Sequence, residues 1–272
     1  MTDKKVVAIT GASNGMGYEA VKVFAKRGWK VYAGARRVEK IPTGENIVAV
    51  RLDVTDSAVN KGFIQAILED AGHIDALVNN AGYGEFGPTE EIPLDRAKQQ
   101  FDTNYFGAVE LTNLVLPGMR EQGYGRILNV SSVGGDLYTP LGAHYYASKA
   151  ALQQWSDTLD LEVSPFGIRS IIIQPAATAS NWGNIAFENA EENLKADSPY
   201  GNLIKATARL TTATSKGATS ENLAEDFYQA ITARRPKLRN YHSGRDRMMV
   251  AFARSFPGLY RMALKQVFRR MK

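Results

Sequence analysis

Short apolar runs alternate along the chain with longer stretches whose apolar positions recur at helical spacing, and this alternation predicts a strand–helix repeat. KVVAIT (5–10), WKVYAGA (29–35), NIVAVRLDV (46–54), IDALVNN (74–80), GRILNVSS (125–132) and GIRSIIIQP (167–175) read as strands. Between them, Gly15 to Gly28 reads as a helix with Ala20, Val21, Phe24 and Ala25 on one face and Gly28 as its stop. A second helix, capped by Thr55 or Asp56, runs to about Ala71. A long helical stretch covers Asp95 to Gln122 and is interrupted or ended near Pro117 and Gly118. Ala143 to Val163 is another helix. Strands this uniformly apolar, each followed by a helix, imply an α/β fold: a parallel sheet with helices on both faces. No linker composition divides the chain, so residues 1–272 are expected to form one domain. The polar stretch at about 176–220 reads as an insertion with short helices over the carboxyl edge of the sheet.

Charge changes this picture at one end only. The net charge is +5, but the segment from Arg234 onward holds twelve Lys/Arg against Asp246 alone, or +11, leaving −6 for the remainder. Within it, residues 245–272 mix apolar residues with arginine and lysine, and Pro257 separates two short helices. Two readings stay open: a helical segment packed on the fold with a solvated basic face, or reversible contact with an anionic lipid surface. The opening MTDKKVVAIT is too short for a signal-peptide core, and no run is apolar enough to span a bilayer. The chain has no cysteine, which excludes disulfides and thiolate metal sites, and three scattered histidines argue against a histidine metal site. A cytoplasmic location is compatible with these features.

The first chemistry-bearing motif is TGASNGMG (10–17), at the turn from strand to helix. Gly11, Gly15 and Gly17 let backbone approach a pyrophosphate at the helix N-terminus, although a structural turn could use the same glycines. The second strand ends AGARR. Ala35 stands where an acid would bind ribose hydroxyls, and Arg36 and Arg37 follow, suited to a 2′-phosphate or simply solvated. Ser13 could add a donor. In HYYASKAAL (144–152), both Tyr145 and Tyr146 lie within one helical turn of Lys149. A nearby cation favours phenolate, so either tyrosine could be tuned toward proton transfer, or be a core aromatic.

Taken together, TGASNGMG, LDVT (52–55), NNAG (79–82), Asn104 in NYFG, Ser132 in LNVSS and YYASK (145–149) resemble the short-chain dehydrogenase/reductase family in its compact form. The resemblance covers about residues 5–180 and implies a Rossmann-like doubly wound sheet. It selects Tyr145, in the family's YxxxK, over Tyr146, and pairs it with Ser132 thirteen residues earlier. It implies Asn104, Ser132, Tyr145 and Lys149 as catalytic, with Asn104 holding a helix kink and a proton-relay water. It implies coenzyme contacts from Gly11, Ser13, Asn14, Gly15, Met16, Gly17, Arg36, Arg37, Asp53, Val54, Asn80, Tyr145, Lys149, Pro175 and Thr178. Tyr146 is left to packing against the sheet or a neighbouring subunit. QPAATAS (174–180) departs from the family's Pro-Gly with Ala176, and has Ser180 where threonine is common. Asp136 stands where an apolar residue near the substrate is expected, and either meets a polar group there or faces water.

The expected function is therefore an NADP(H)-dependent oxidoreductase interconverting an alcohol and a ketone or aldehyde. Resemblance to 17β-hydroxysteroid, retinol and acyl-dihydroxyacetone-phosphate reductase-like members implies a fairly large apolar substrate and a homo-oligomer. Alternatives are a reductase of a smaller carbonyl compound and a non-catalytic NADP-sensing regulator, the latter disfavoured by retention of all four catalytic residue types. Nucleic acid is not an expected partner, because no recognition motif accompanies the basic C-terminus.

Overall fold

A computed structural model of the chain describes residues 4–179, 182–214 and 217–270. The elements in chain order are β1 (Val6–Thr10), α1 (Gly15–Lys26), β2 (Lys30–Ala35), β3 (Ile47–Arg51), α2 (Ser57–Ala71), β4 (Ala76–Asn79), α3 (Leu94–Phe101), α4 (Gly107–Glu121), β5 (Gly125–Val130), α5 (Ala143–Val163) and β6 (Ile168–Ile173). They continue with β7 (Thr178–Ala179), α6 (Trp182–Glu192), α7 (Gly201–Thr214), β8 (Ala218–Thr219), α8 (Ser220–Thr232), β9 (Arg239–Asn240), α9 (Gly244–Ser255) and α10 (Pro257–Arg270).

The main sheet has seven strands in the order β3-β2-β1-β4-β5-β6-β9, all parallel. Two apolar layers hold helices against its faces. One packs Phe24 of α1 and Phe227 of α8 on Val7, Ile9 and Ile171; the other packs Phe63 of α2, Leu111 of α4 and Leu159 of α5 on Ala8, Leu77 and Ile127. Alternate residues of each strand feed opposite layers, as the strand period of two requires. This is the doubly wound arrangement expected from the sequence, and chain order reverses between β1 and β4, where such sheets open a crevice at their carboxyl ends.

The predicted strands and helices are present, with one open choice resolved and one difference. Asp56, not Thr55, caps α2, its carboxylate accepting from the amides of Ala58 and Val59. The long helical stretch does not break at Pro117; α4 runs through it to Glu121. Asn113 and Pro117 both lie on the exposed face, so the carbonyl that Pro117 leaves without an amide partner is on the solvent side. The irregularity is at Asp102–Phe106, a π-helical turn joining α3 to α4 and centred on buried Asn104, where the resemblance implied a kink. In the 176–220 region, α6 and α7 are helical as expected, and β7 pairs in parallel with β8; residues 180–181, including Ser180, and 215–216 lie outside the described residues.

Candidate functional site

The crevice at the carboxyl ends of β1, β4 and β5 gathers the motif residues. In the first loop, Gly11 and Gly15 have φ of 67° and 58°, backbone that an L side chain adopts only with strain. A β-carbon on Gly17 would lie 2.4 Å from both the Gly11 carbonyl oxygen and the Asn80 side-chain nitrogen, so helix α1 can begin this close to the loop only without one. Asn14 caps α1 by accepting from the Gly15 amide at 2.8 Å, and no acidic residue occupies the first turn. Bare, strained backbone ahead of a positive helix end fits a dinucleotide pyrophosphate. Ser13 and Met16 are half-exposed in this loop. Arg36 and Arg37 are exposed beyond β2, and neither guanidinium forms a hydrogen bond or ion pair among the described residues, although the Arg37 carbonyl accepts from the Lys40 amide.

Asn80 works inward. Its side-chain amide donates to the carbonyls of Thr10 (2.9 Å) and Gly11 (3.2 Å), and its backbone amide donates to the Thr10 hydroxyl at 3.0 Å. It locks the glycine loop to β4. Asp53 accepts from the amide and hydroxyl of Thr55 in a local turn, and Val54 is buried against Gly107.

On the other side of the crevice, Ser132 follows β5. Its hydroxyl accepts from the Gly134 amide at 3.0 Å and lies 3.3 Å from the Pro175 carbonyl, to which it can donate. It also lies near enough to the Tyr145 phenol to favour that group's ionised form, so residues thirteen apart in sequence are neighbours here. Ser131 points elsewhere: its hydroxyl donates to the Lys149 carbonyl and accepts from Gln153. Tyr146 hydrogen-bonds Thr139 at 2.7 Å and packs on Gly134, Gly142 and Phe86. Its packing partner is thus the 134–142 turn rather than the sheet. Thr178, in β7, is half-buried past Pro175.

Asn104 is held at both ends of its amide. Its oxygen accepts from the Tyr83 amide at 3.1 Å, and its nitrogen donates to the Tyr83 carbonyl (3.0 Å) and the Ser148 hydroxyl (3.1 Å). Lys149 is buried and donates to the Val130 carbonyl at 2.8 Å. A β-carbon on Gly82 would stand 3.1 Å from the Asn104 oxygen and 3.3 Å from the Lys149 ammonium, so Gly82 leaves both polar groups facing one small space.

Burial sets the electrostatics. It pushes the Tyr145 phenol well above its ordinary value, with the nearby Ser132 hydroxyl pulling the other way. It pushes the Lys149 ammonium down to about 8. The sequence expectation was a phenol drawn down by the neighbouring cation. Here the Lys149 ammonium donates to the Val130 carbonyl, and desolvation favours the neutral form of both groups.

Asp136 corrects another expectation. It neither faces water nor an open cleft: its carboxylate is 4% exposed and meets Gln174 (2.5 Å), Arg239 of β9 (3.5 Å) and Arg254 of α9 (3.1 Å). Arg239 continues to Asp157 (2.5 Å) and to the Gln153 oxygen (2.7 Å), while the Gln153 nitrogen donates to the Ser132 carbonyl at 2.8 Å. Gln153 and Arg239 thus brace the backbone that carries Ser132. No motif in the sequence marks either residue, and only the helical phase Tyr145–Lys149–Gln153, at steps of four, points to the first. Removing one member of a buried ionic cluster strands the others. Asp136→Ala is expected to lower unfolding free energy by about 3 kcal/mol, measured by urea denaturation. A change below about 0.5 kcal/mol, the usual range for surface substitutions, would show that the cluster is solvated and contributes little.

The chain matches the short chain dehydrogenase family over residues 5–191. It is 39% identical over 197 residues to a probable short-chain type dehydrogenase/reductase of Helicobacter pylori, covering 72% of each chain. It is 37% identical over 174 residues to a 3-ketodihydrosphingosine reductase of Bacteroides thetaiotaomicron, covering 63% of each. A solved short-chain dehydrogenase from Streptomyces avermitilis superposes with a TM-score of 0.83 at 30% identity, over 99% of both chains. Two similar structures hold coenzyme, both at 26% identity. A Burkholderia phymatum enzyme contains NAD (TM-score 0.80, 94% of this chain and 95% of that one), and a serine dehydrogenase is complexed with NADP+ (TM-score 0.76, 87% and 93%).

Proposed function

This chain belongs to the short-chain dehydrogenase family, and we propose that it is an NADP(H)-dependent oxidoreductase interconverting an alcohol and a ketone or aldehyde of fairly large, apolar character. The observation that carries this reading is the convergence of four side chains on one crevice: the Tyr145 phenol lies close to the Ser132 hydroxyl, and the Asn104 oxygen and Lys149 ammonium face one space at Gly82. When bound, the dinucleotide supplies or accepts hydride. Ser132 then donates to the substrate oxygen and stabilises negative charge developing there. Tyr145 gives its phenolic proton to that oxygen in reduction and takes it back in oxidation. Lys149 holds ribose hydroxyls and favours phenolate when charged. The Asn104 oxygen and Lys149 leave room between them at Gly82 for a relay water.

Three observations support the finer parts of the reading. Arg36 and Arg37, with Ala35 in place of an acid, suit a 2′-phosphate. Phe86, Leu141, Ala186, Ala190 and Ile204 form an apolar cluster on Tyr145, walling the reacting end with hydrocarbon contributed by α6 and α7. One relative is named for reduction of a keto compound, 3-ketodihydrosphingosine. The reading makes the 176–220 region the substrate-binding part of a single domain and places the enzyme in the cytoplasm as a homo-oligomer. It is tested by steady-state kinetics on ketones and aldehydes of increasing chain length with each coenzyme. NADPH turnover rising with chain length supports it; a preference for NADH, or for small polar carbonyls, overturns the corresponding half.

Arg36→Ala weakens NADPH binding by roughly 10-fold or more and leaves NADH binding within about a factor of two, because a charge-assisted pair to the phosphate is lost only when the phosphate is present. Fluorescence titration of both coenzymes decides it, and parallel losses would remove Arg36 from the phosphate site.

A further inference from the structure

The helices α9 and α10, with Phe256 at their junction, carry six of the exposed large apolar side chains: Met248, Met249, Phe252, Phe256, Leu259 and Met262, each at least 41% exposed. Both helices are docked by their opposite faces. Val250 and Ala253 of α9 pack on Leu137, and Tyr260 of α10 stacks edge-on with Tyr138 and donates to its carbonyl at 2.8 Å. With about 3.6 residues per turn, burying Val250 and Ala253 turns Met248 and Phe252 outward, and Arg245 and Arg247 fall on either flank of that stripe. The same phase on α10, with Tyr260 and Leu264 inward, turns Met262 outward among Arg261, Lys265 and Arg269. None of these five cations has an ion-pair partner among the described residues. Met271 and Lys272 lie outside those residues.

We infer that this face is a docking surface for anionic membrane lipid. The charge argument selects the occupant. A protein partner could cover apolar residues, but an apolar stripe bordered by unpaired arginine and lysine matches hydrocarbon beneath a negatively charged headgroup layer. No described helix is long and apolar enough to cross a membrane, so the contact is peripheral. The inference is independent of the catalytic reading, since it rests on surface residues remote in sequence from Ser132, Tyr145 and Lys149.

Sedimentation of the full chain with vesicles tests it without reference to activity. The protein should pellet with phosphatidylglycerol–phosphatidylcholine vesicles at low salt, stay in solution with pure phosphatidylcholine, and be released by high salt. The double variant Phe252→Ser, Phe256→Ser should partition about 10-fold less while keeping its melting temperature and elution volume. Met248→Ser with Met262→Ser provides a second disruption of the same face should the first pair fail to fold. Wild-type protein remaining in the supernatant at low salt overturns the inference. So does undiminished binding by both variants, which would mean charge alone captures the protein. A wild-type oligomer that both variants dissociate, seen by light scattering, also overturns it, because a second copy then covers the face.

Discussion

Replacing Tyr145 by phenylalanine is expected to lower turnover by about 10²–10⁴-fold, the usual value of general acid–base assistance. The substitution removes one oxygen from a buried, apolar setting and keeps the ring contact with Phe86, so the fold has little reason to change. Coenzyme affinity should remain within a few-fold of wild type. Tyr146 provides the internal control, because it presents the same chemistry one residue along the same helix. Its hydroxyl is bonded to Thr139 and its ring fills the turn over Gly134 and Gly142. Tyr146→Phe should cost no more than one net hydrogen bond, about 1 kcal/mol, felt mainly as stability. Single-turnover rates and melting curves for the two variants separate these outcomes. Equal losses in rate would place the proton with neither tyrosine alone and reject the assignment.

Lys149→Met gives a larger contrast, because activity and stability move in opposite directions. Activity falls with loss of the ammonium. Stability is governed by the buried charge. Lys149 titrates at about 8 in the fold against an ordinary 10.5, so between those values the unfolded chain binds more protons than the folded one. Unfolding free energy of the wild type therefore rises with pH across that window. Below about 8 the full cost of burying the charge, on the order of 3 kcal/mol, is present; above about 10.5 it is gone. Methionine never carries that cost, though it also leaves the Val130 carbonyl without its donor. The informative quantity is consequently the difference between pH values. The stability of Lys149→Met relative to wild type should decline by roughly 2 kcal/mol from pH 7.5 to pH 10, read from urea midpoints. A pH-independent difference would show that Lys149 keeps its ordinary protonation in the fold, and that burial is not what tunes it.

Much of this protein is legible along the chain because much of it is local. Strand and helix follow from the spacing of apolar residues, and β1 to β6, α1, α2 and α5 lie where that spacing puts them. The glycine loop is equally local: Gly11, Gly15 and Gly17 meet a backbone need within a single turn. Tyr145 and Lys149 are one helical turn apart, so their proximity also needs no tertiary information. The family pattern carries Ser132 and Asn104 into the same crevice. What the folded structure alone decides involves pairs distant in sequence. Asp136 reads as a surface or substrate residue until β9 brings Arg239 and α9 brings Arg254 against it, more than a hundred residues away. The seventh strand is two residues long, too short for any periodicity, and exists because β6 offers an edge to pair with. The family pattern already implied a kink at Asn104, which is bound to the backbone of Tyr83, but only the fold shows that Pro117 adds no second break, because it looks into water. The protonation of Tyr145 and Lys149 likewise depends on burial. A sequence can show that a cation lies near a phenol, but only the packing of α5 against the sheet determines how much water either group retains, and desolvation is the larger effect.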